Sequence, residues 1–337
     1  MEADRMGKFD IDPPDSTEPE HRAALHLTIF GAWLLAFGAA ALLEYAPNAS
    51  LWFPPAAVTF AAVVVLGVRA LPVIWLACLV VTVLADQVYQ RGMSGAELAA
   101  AGFAFAFTHS LAYAALGLVF RSAGRRASPV PDLHAVGWFV LGGVAASGIS
   151  SALGGLSMIV TGMSEPGDVA PLIITWWVGD FAGLVTIGPL LALLLIQLTV
   201  FLGIPLPGRL DRLPGPTSWS GLLRTAGPGL GLLIGLTLSI LLLLAAFPGY
   251  AAMPLLLLAC LPVSLWIART ESALATLVGV AGFSLILAAA TGPLGLADHA
   301  LALQLMVICL AIASYLGLAM AGRRQKRSAD RARVDSR

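Results

Sequence analysis

The sequence predicts an all-α polytopic transmembrane bundle of about ten helices, with both termini on the cytoplasmic side. Three observations predict it. Of the 337 residues 58% are apolar and only 11% charged, so little polar surface is left for water. Apolar runs near the length of about 20 residues that a bilayer-spanning helix needs recur along almost the whole chain, which no soluble core requires. The basic residues are also segregated. With the N-terminus inside, Arg5, Lys8, Arg22, Arg69, Arg121, Arg125, Arg126, Arg209, Arg212, Arg224, Arg269 and the tail from Arg323 to Arg337 fall on one side, against Arg91 on the other. That asymmetry is what the positive-inside rule demands. The zero formal net charge hides this distribution, and nothing in it points to nucleic acid.

Residues 1–22, acidic and holding Pro13-Pro14, are expected to form a disordered cytoplasmic tail, and they do not read as a signal peptide. Apolar runs follow at about 24–43, 53–68, 71–89, 98–120, 135–160, 171–202, 227–247, 252–268, 273–291 and 300–321. The second and eighth are short for a span, so eight full spans with two short or re-entrant elements is the alternative count. The integral-membrane region covers 23–322. Residues 203–226, rich in proline, glycine and arginine, read as a long cytoplasmic loop that divides it into a six-helix part, 23–202, and a four-helix part, 227–322. The fifth run carries Gly142, Gly143, Ser147, Gly148, Ser151, Gly154 and Gly155, small residues that favour a tightly packed helix. Pro54 to Arg69 and Pro254 to Arg269 share a spacing, a faint internal echo. Residues 323–337 form a basic tail, helix-compatible after Gly322, that would meet anionic lipid headgroups and could begin a signalling helix. Cys78, Cys260 and Cys309 all lie in apolar runs and indicate neither disulfides nor a thiolate metal site.

The candidate chemistry centres on Asp180, about eight residues into the sixth run and so about 12 Å below the membrane surface. An intramembrane carboxylate is costly unless it is paired, hydrated or protonated, so it ordinarily faces a bundle interior or a wet cavity. The plainer reading is a polar group that glues helices together. Trp176 and Trp177 sit one turn above it, at a level suited to headgroups. By the same topology Glu44 ends the first helix, Asn48 and Trp52 follow in the first external loop, Asp86 ends the third helix, and His109 lies mid-way along the fourth. Together these could wall one external pocket for a cation, a protonated amine or a proton. Taken singly, Glu44 and Asp86 read as water-facing helix ends and His109 as a packing residue. Pro54, Pro55, Gly188 and Pro189 are hinge candidates: prolines open the second run, and Pro189 frees a backbone carbonyl inside the sixth. No helix carries metal-ligand spacing, and no nucleotide loop, catalytic triad or cofactor fingerprint is present, so neither metal, cofactor nor enzyme activity is expected.

Two stretches carry a resemblance. Asn48-Ala49-Ser50-Leu51-Trp52-Phe53-Pro54-Pro55-Ala56-Ala57 is similar to an N-x-S-x-W-P-P-A-G motif, with Phe53 standing between tryptophan and the prolines. Trp176-Trp177-Val178-Gly179-Asp180-Phe181-Ala182-Gly183, followed by Gly188-Pro189-Leu190, is similar to W-W-x-G-D-x-x-G and a later proline. From about residue 25 to 322 the chain thereby resembles the membrane-associated sensor domain family, type one. Thr108-His109-Ser110 stands where that family tends to show Gly-Asn with a nearby Glu. The resemblance implies a multi-pass protein of the bacterial inner membrane that detects a small ligand, an ion or a membrane state. It implies as partner a cytoplasmic kinase or cyclic-di-nucleotide output domain or protein, with a homodimer compatible. Family members continue into output domains, so the chain is expected to be a free-standing member or a sensor separated from its output. The competing function is a small-solute or ion transporter that uses Asp180 as its coupling acid.

Overall fold

Ten α-helices account for nearly all of the described chain: α1 Pro19–Leu42, α2 Pro55–Leu66, α3 Leu71–Tyr89, α4 Gly95–Gly124, α5 Leu133–Val160, α6 Pro166–Phe201, α7 Trp219–Ala246, α8 Cys260–Thr270, α9 Ala273–Thr291 and α10 Ala300–Asp335. The structure, a computed structural model, describes residues 19–46, 49–124, 133–206, 210, 219–247 and 253–335. Eight helical stretches are long and apolar enough to cross a membrane. One of them, Pro55–Tyr89, holds both α2 and α3. The chain is thus a polytopic helical membrane protein, in the arrangement of eight spans with two short elements, α2 and the segment Pro254–Thr270.

The path of α2 sets up the rest. Glu44, just past the end of α1, accepts a hydrogen bond of 2.5 Å from Tyr89 at the end of α3. Arg22, at the start of α1, instead shares a small cleft with Val65, Leu66 and Arg121. So α1 and α3 run in the same direction, and α2 must run back between them. The reversal falls at a 3-10 turn, Gly67–Ala70, where Gly67 takes φ +65°. A side chain would be strained in that left-handed conformation. The guanidinium of Arg121 donates to the carbonyls of Val64 and Val65, which satisfies two acceptors at the C-terminal end of α2. Ahead of α2, Glu44–Ala46 pairs antiparallel with Ala49–Ser50 as a short hairpin.

Local signals explain most boundaries. Ser94 and Glu97 form a reciprocal capping box at the start of α4, with the Ser94 amide donating to Glu97 at 2.7 Å and the Glu97 amide to Ser94 at 3.4 Å. Ser272 caps α9 through the Ala275 amide at 3.1 Å. Three helices begin five or more residues earlier than their apolar runs predict: α1 at Pro19 rather than 24, α6 at Pro166 rather than 171 and α7 at Trp219 rather than 227, because their first turns are polar or rich in glycine and proline while remaining helical. Residues 19–22, expected to belong to the disordered tail, are therefore helix, and residues 1–18 lie outside the described residues. Part of the expected loop 203–226 is therefore helix. α10 likewise continues without a break through the basic tail to Asp335.

The small residues of α5 let it pack closely. Gly143 lies against Phe181 and Leu184, Gly148 against Trp177, and Gly155 against Val169 and Ile173, all on α6. A continuous apolar core runs from Leu51 to Ala319, across the boundary between the six-helix and four-helix parts. α6 contacts α9 and α10 across it. The two segments of the sequence echo differ in build: the first is α-helix followed by a 3-10 turn, the second a 3-10 segment, Met253–Ala259, followed by α8.

Candidate ligand site

The two motifs singled out in the sequence touch each other. Gly179, Gly183 and Thr186 lie on one face of α6, at successive turns, and the extended chain before α2 lies along that face. A Cβ on Gly183 would sit 2.4 Å from the Phe53 carbonyl oxygen, and one on Gly179 3.1 Å from that of Ser50. The Phe53 amide donates to the Gly179 carbonyl at 3.2 Å. The indole of Trp52 donates to the Thr186 hydroxyl at 3.1 Å. Pro54 and Pro55 then open α2, where missing N–H groups cost nothing. Residues 50–54 are therefore non-helical backbone brought to the middle of the bundle, which a membrane tolerates only inside a protein lining.

Asp180 follows Gly179 by one residue, about 100° further round α6, and so faces α4 and α5 instead. It is the fifteenth residue of this 36-residue helix. The side chain is 7% exposed. Its Oδ2 accepts a hydrogen bond of 2.5 Å from the Tyr113 hydroxyl, and Ser150 also bonds to the carboxylate.

Asp180 lies at the floor of a cavity of about 230 Å³ that reaches up to Glu44, Asp86 and Arg91 at the far ends of α1 and α3. At this mouth Glu44 is held by Tyr89, Asp86 Oδ1 accepts from the Met93 amide at 3.0 Å, and the Arg91 guanidinium lies over the Tyr89 ring at 5.2 Å. Phe37, Phe53, Phe105 and Trp176 wall the space between mouth and floor.

Of the candidates named from sequence, Asp180, Trp176, Glu44, Asp86 and His109 do line this one cavity. His109 nevertheless spends its polar atoms on the protein. Trp33 donates to the Thr59 hydroxyl at 3.1 Å, and that hydroxyl lies 2.9 Å from His109 Nε2. The ring also bonds to the backbone of Pro55, which as a proline offers only a carbonyl. The imidazole sits among Trp33, Phe53, Phe105 and Tyr113, with ring centroids 5.0 to 6.0 Å away. Trp177 points elsewhere, donating to the Val144 carbonyl at 2.8 Å with 41% of its surface exposed. Trp52 pins the chain to α6 behind the cavity. Asn48 lies outside the described residues.

Sequence reasoning missed three contributors. Tyr113 follows His109 by four residues, on the same helix face. Ser150, Ser151, Gly154 and Ser157 make a polar stripe on α5 that lines the cavity beside its glycine packing face; small residues at this spacing signal close packing first, and only the serines among them mark a polar lining. The third is the link to α10. Pro189 has no N–H for the carbonyl of Val185, four residues earlier, and the Tyr315 hydroxyl of α10 donates to that carbonyl at 2.8 Å. Gln304, also on α10, donates to the Leu51 carbonyl at 3.1 Å. Both α6 and the chain of residues 50–54, which each contribute to the cavity lining, are thus tied to the last helix. Among the described residues no group of three His, Cys, Asp or Glu is placed to hold a metal ion. The chain matches no protein-family model, no curated protein and no solved structure, so the site is read from its own chemistry.

Proposed function

We propose that the chain is a sensory input module rather than an enzyme, in which a small ligand in the cavity biases the packing of α6 and residues 50–54, and α10 carries the change to the cytoplasm. The observation that supports this best is the pair of bonds from Tyr315 and Gln304 to the Val185 and Leu51 carbonyls, because they join the cavity floor to the helix that leaves the bundle. α10 is 36 residues long, about 54 Å, well beyond a hydrocarbon core of about 30 Å. The clustering of Arg22, Arg69 and Arg121 at the end opposite the cavity mouth supports a cytoplasmic placement of that end, with the mouth facing outward. In the bacterial inner membrane the output partner would be a kinase or cyclic-di-nucleotide enzyme, as the resemblance implies, with dimerisation through α10 aligning two outputs. A ligand acts on such a system only by its differential affinity for two packings.

One observation favours a second reading. A buried carboxylate at mid-bundle beside the start of a half-length helix is also how secondary transporters are built. The two readings part at α10. With a dimeric kinase or cyclase output fused after Arg333, insertion of one to four residues near Gln325 should make activity rise and fall with helical phase, since each residue turns the joined helix by about 100°. If every insertion behaves alike, the tail is dispensable, and purified protein in vesicles moves a solute, the transporter reading takes its place.

A further inference from the structure

The geometry points to a small organic monocation, a protonated amine on an apolar body, as the occupant of this cavity, with the ammonium against Asp180 and the body between the aromatic rings. This rests on the reading of the cavity as the sensory pocket and names what that pocket takes. The floor presents acceptors: the carboxylate of Asp180 with Ser150 beside it. Tyr113 already donates to Oδ2, which orients the carboxyl group and leaves Oδ1 and the remaining lone pairs for a donor. An ammonium with N–H groups satisfies such a floor, whereas an anion would meet a carboxylate in a poorly hydrated site. Above the floor the walls are rings, with Phe37 and Phe53 in edge contact at 6.3 Å and Phe105 and Trp176 also lining the space. Such faces attract a cation electrostatically and cover an apolar body. The mouth carries the carboxylates of Glu44 and Asp86 with the guanidinium of Arg91, so the described lining is negative on balance and would draw a cation inward.

Two simpler occupants fit less well. An alkali or divalent metal ion wants several oxygen ligands at short range, and the acids here are spread between floor and mouth rather than gathered. A proton alone leaves unexplained a ring-walled cavity of about 230 Å³, many times the share of one water molecule, about 30 Å³.

The test uses the full chain, purified in detergent, with binding read by intrinsic tryptophan fluorescence and by the shift in thermal unfolding. The probes are 2-phenylethylamine, its neutral counterpart 2-phenylethanol and the anion 3-phenylpropionate. The amine should bind saturably and stabilise the protein, with the alcohol and the carboxylate at least about tenfold weaker, as expected where a buried charge partner is missing. Asp180→Asn should lose the preference for the amine while Glu44→Gln, at the mouth, slows binding and keeps it. The comparison of probes on the unaltered chain decides the matter even if Asp180→Asn does not fold. Equal affinity for alcohol and amine, tighter binding of the carboxylate, or no binding of the amine up to millimolar concentration would overturn the proposal and leave the sensory reading standing. Amine binding that never alters a fused output would do the reverse.

Discussion

Asp180 and Gly183 show how one motif divides its work between two faces of a helix. The glycines admit the chain of residues 50–54, and the acid, turned away from them, faces the cavity. That division gives a sharp expectation at Gly183, where a Cβ would meet the Phe53 backbone at 2.4 Å. The obstacle is main chain rather than a flexible side-chain tip. Gly183→Ala should therefore destabilise the protein by about 1–3 kcal/mol, the usual cost of overpacking. Gly38→Ala on α1, with nothing within 4 Å, should be neutral or slightly stabilising, because alanine favours helix by about 1 kcal/mol over glycine. Thermal unfolding of both variants in one detergent provides the comparison, and equal midpoints would contradict the packing described.

Within α6, Pro189 creates a break and α10 repairs it. The carbonyl that Pro189 leaves without a helical donor, at Val185, is the one to which the Tyr315 hydroxyl donates. Tyr315→Phe should accordingly cost about 0.5–1.5 kcal/mol, the range of one net hydrogen bond. In a Pro189→Ala background the helix supplies its own N–H, and the same change should cost markedly less. A double-mutant cycle on reversible unfolding in mixed micelles measures the difference. Strict additivity would show that the tyrosine does not serve the proline break. The hinge expected at Gly188-Pro189 is thus a position where α6 is both weakened and held from outside.

Across the whole molecule, the spans were legible because hydropathy and basic residues report directly on the membrane. The second and eighth runs, short for a span, left ten and eight spans both open, and eight helical stretches prove long and apolar enough to cross. Placing polar residues by depth allowed Asp180, Glu44, Asp86 and His109 to share one external pocket without requiring it. The structure brings these four and Trp176 to one cavity, with His109 bonded within the protein. What stayed hidden depends on azimuth. Trp176 faces the cavity while its neighbour Trp177 turns to α5, and a one-residue difference in phase is not fixed by apolar runs without alternation. Tyr113 and the serine stripe of α5 looked like ordinary interior residues for the same reason. The link from Tyr315 to Val185 spans 130 positions and has no local signal, although the orphaned carbonyl at Pro189 marked where a partner was needed.

The central claim is that occupancy of the cavity reaches α10. Its most direct test fills the cavity without any ligand. Ser157 lines the space and makes only a local bond to the Gly154 carbonyl, at 2.7 Å, so Ser157→Phe puts a ring into the cavity without removing a contact between helices. With a dimeric output fused in an active phase after Arg333, the account predicts that Ser157→Phe changes output activity about fivefold or more, the scale of a coupling near 1 kcal/mol. The change should vanish when Tyr315→Phe and Gln304→Ala are added. A filled cavity that leaves the output of the correctly inserted protein at its original level would contradict the account.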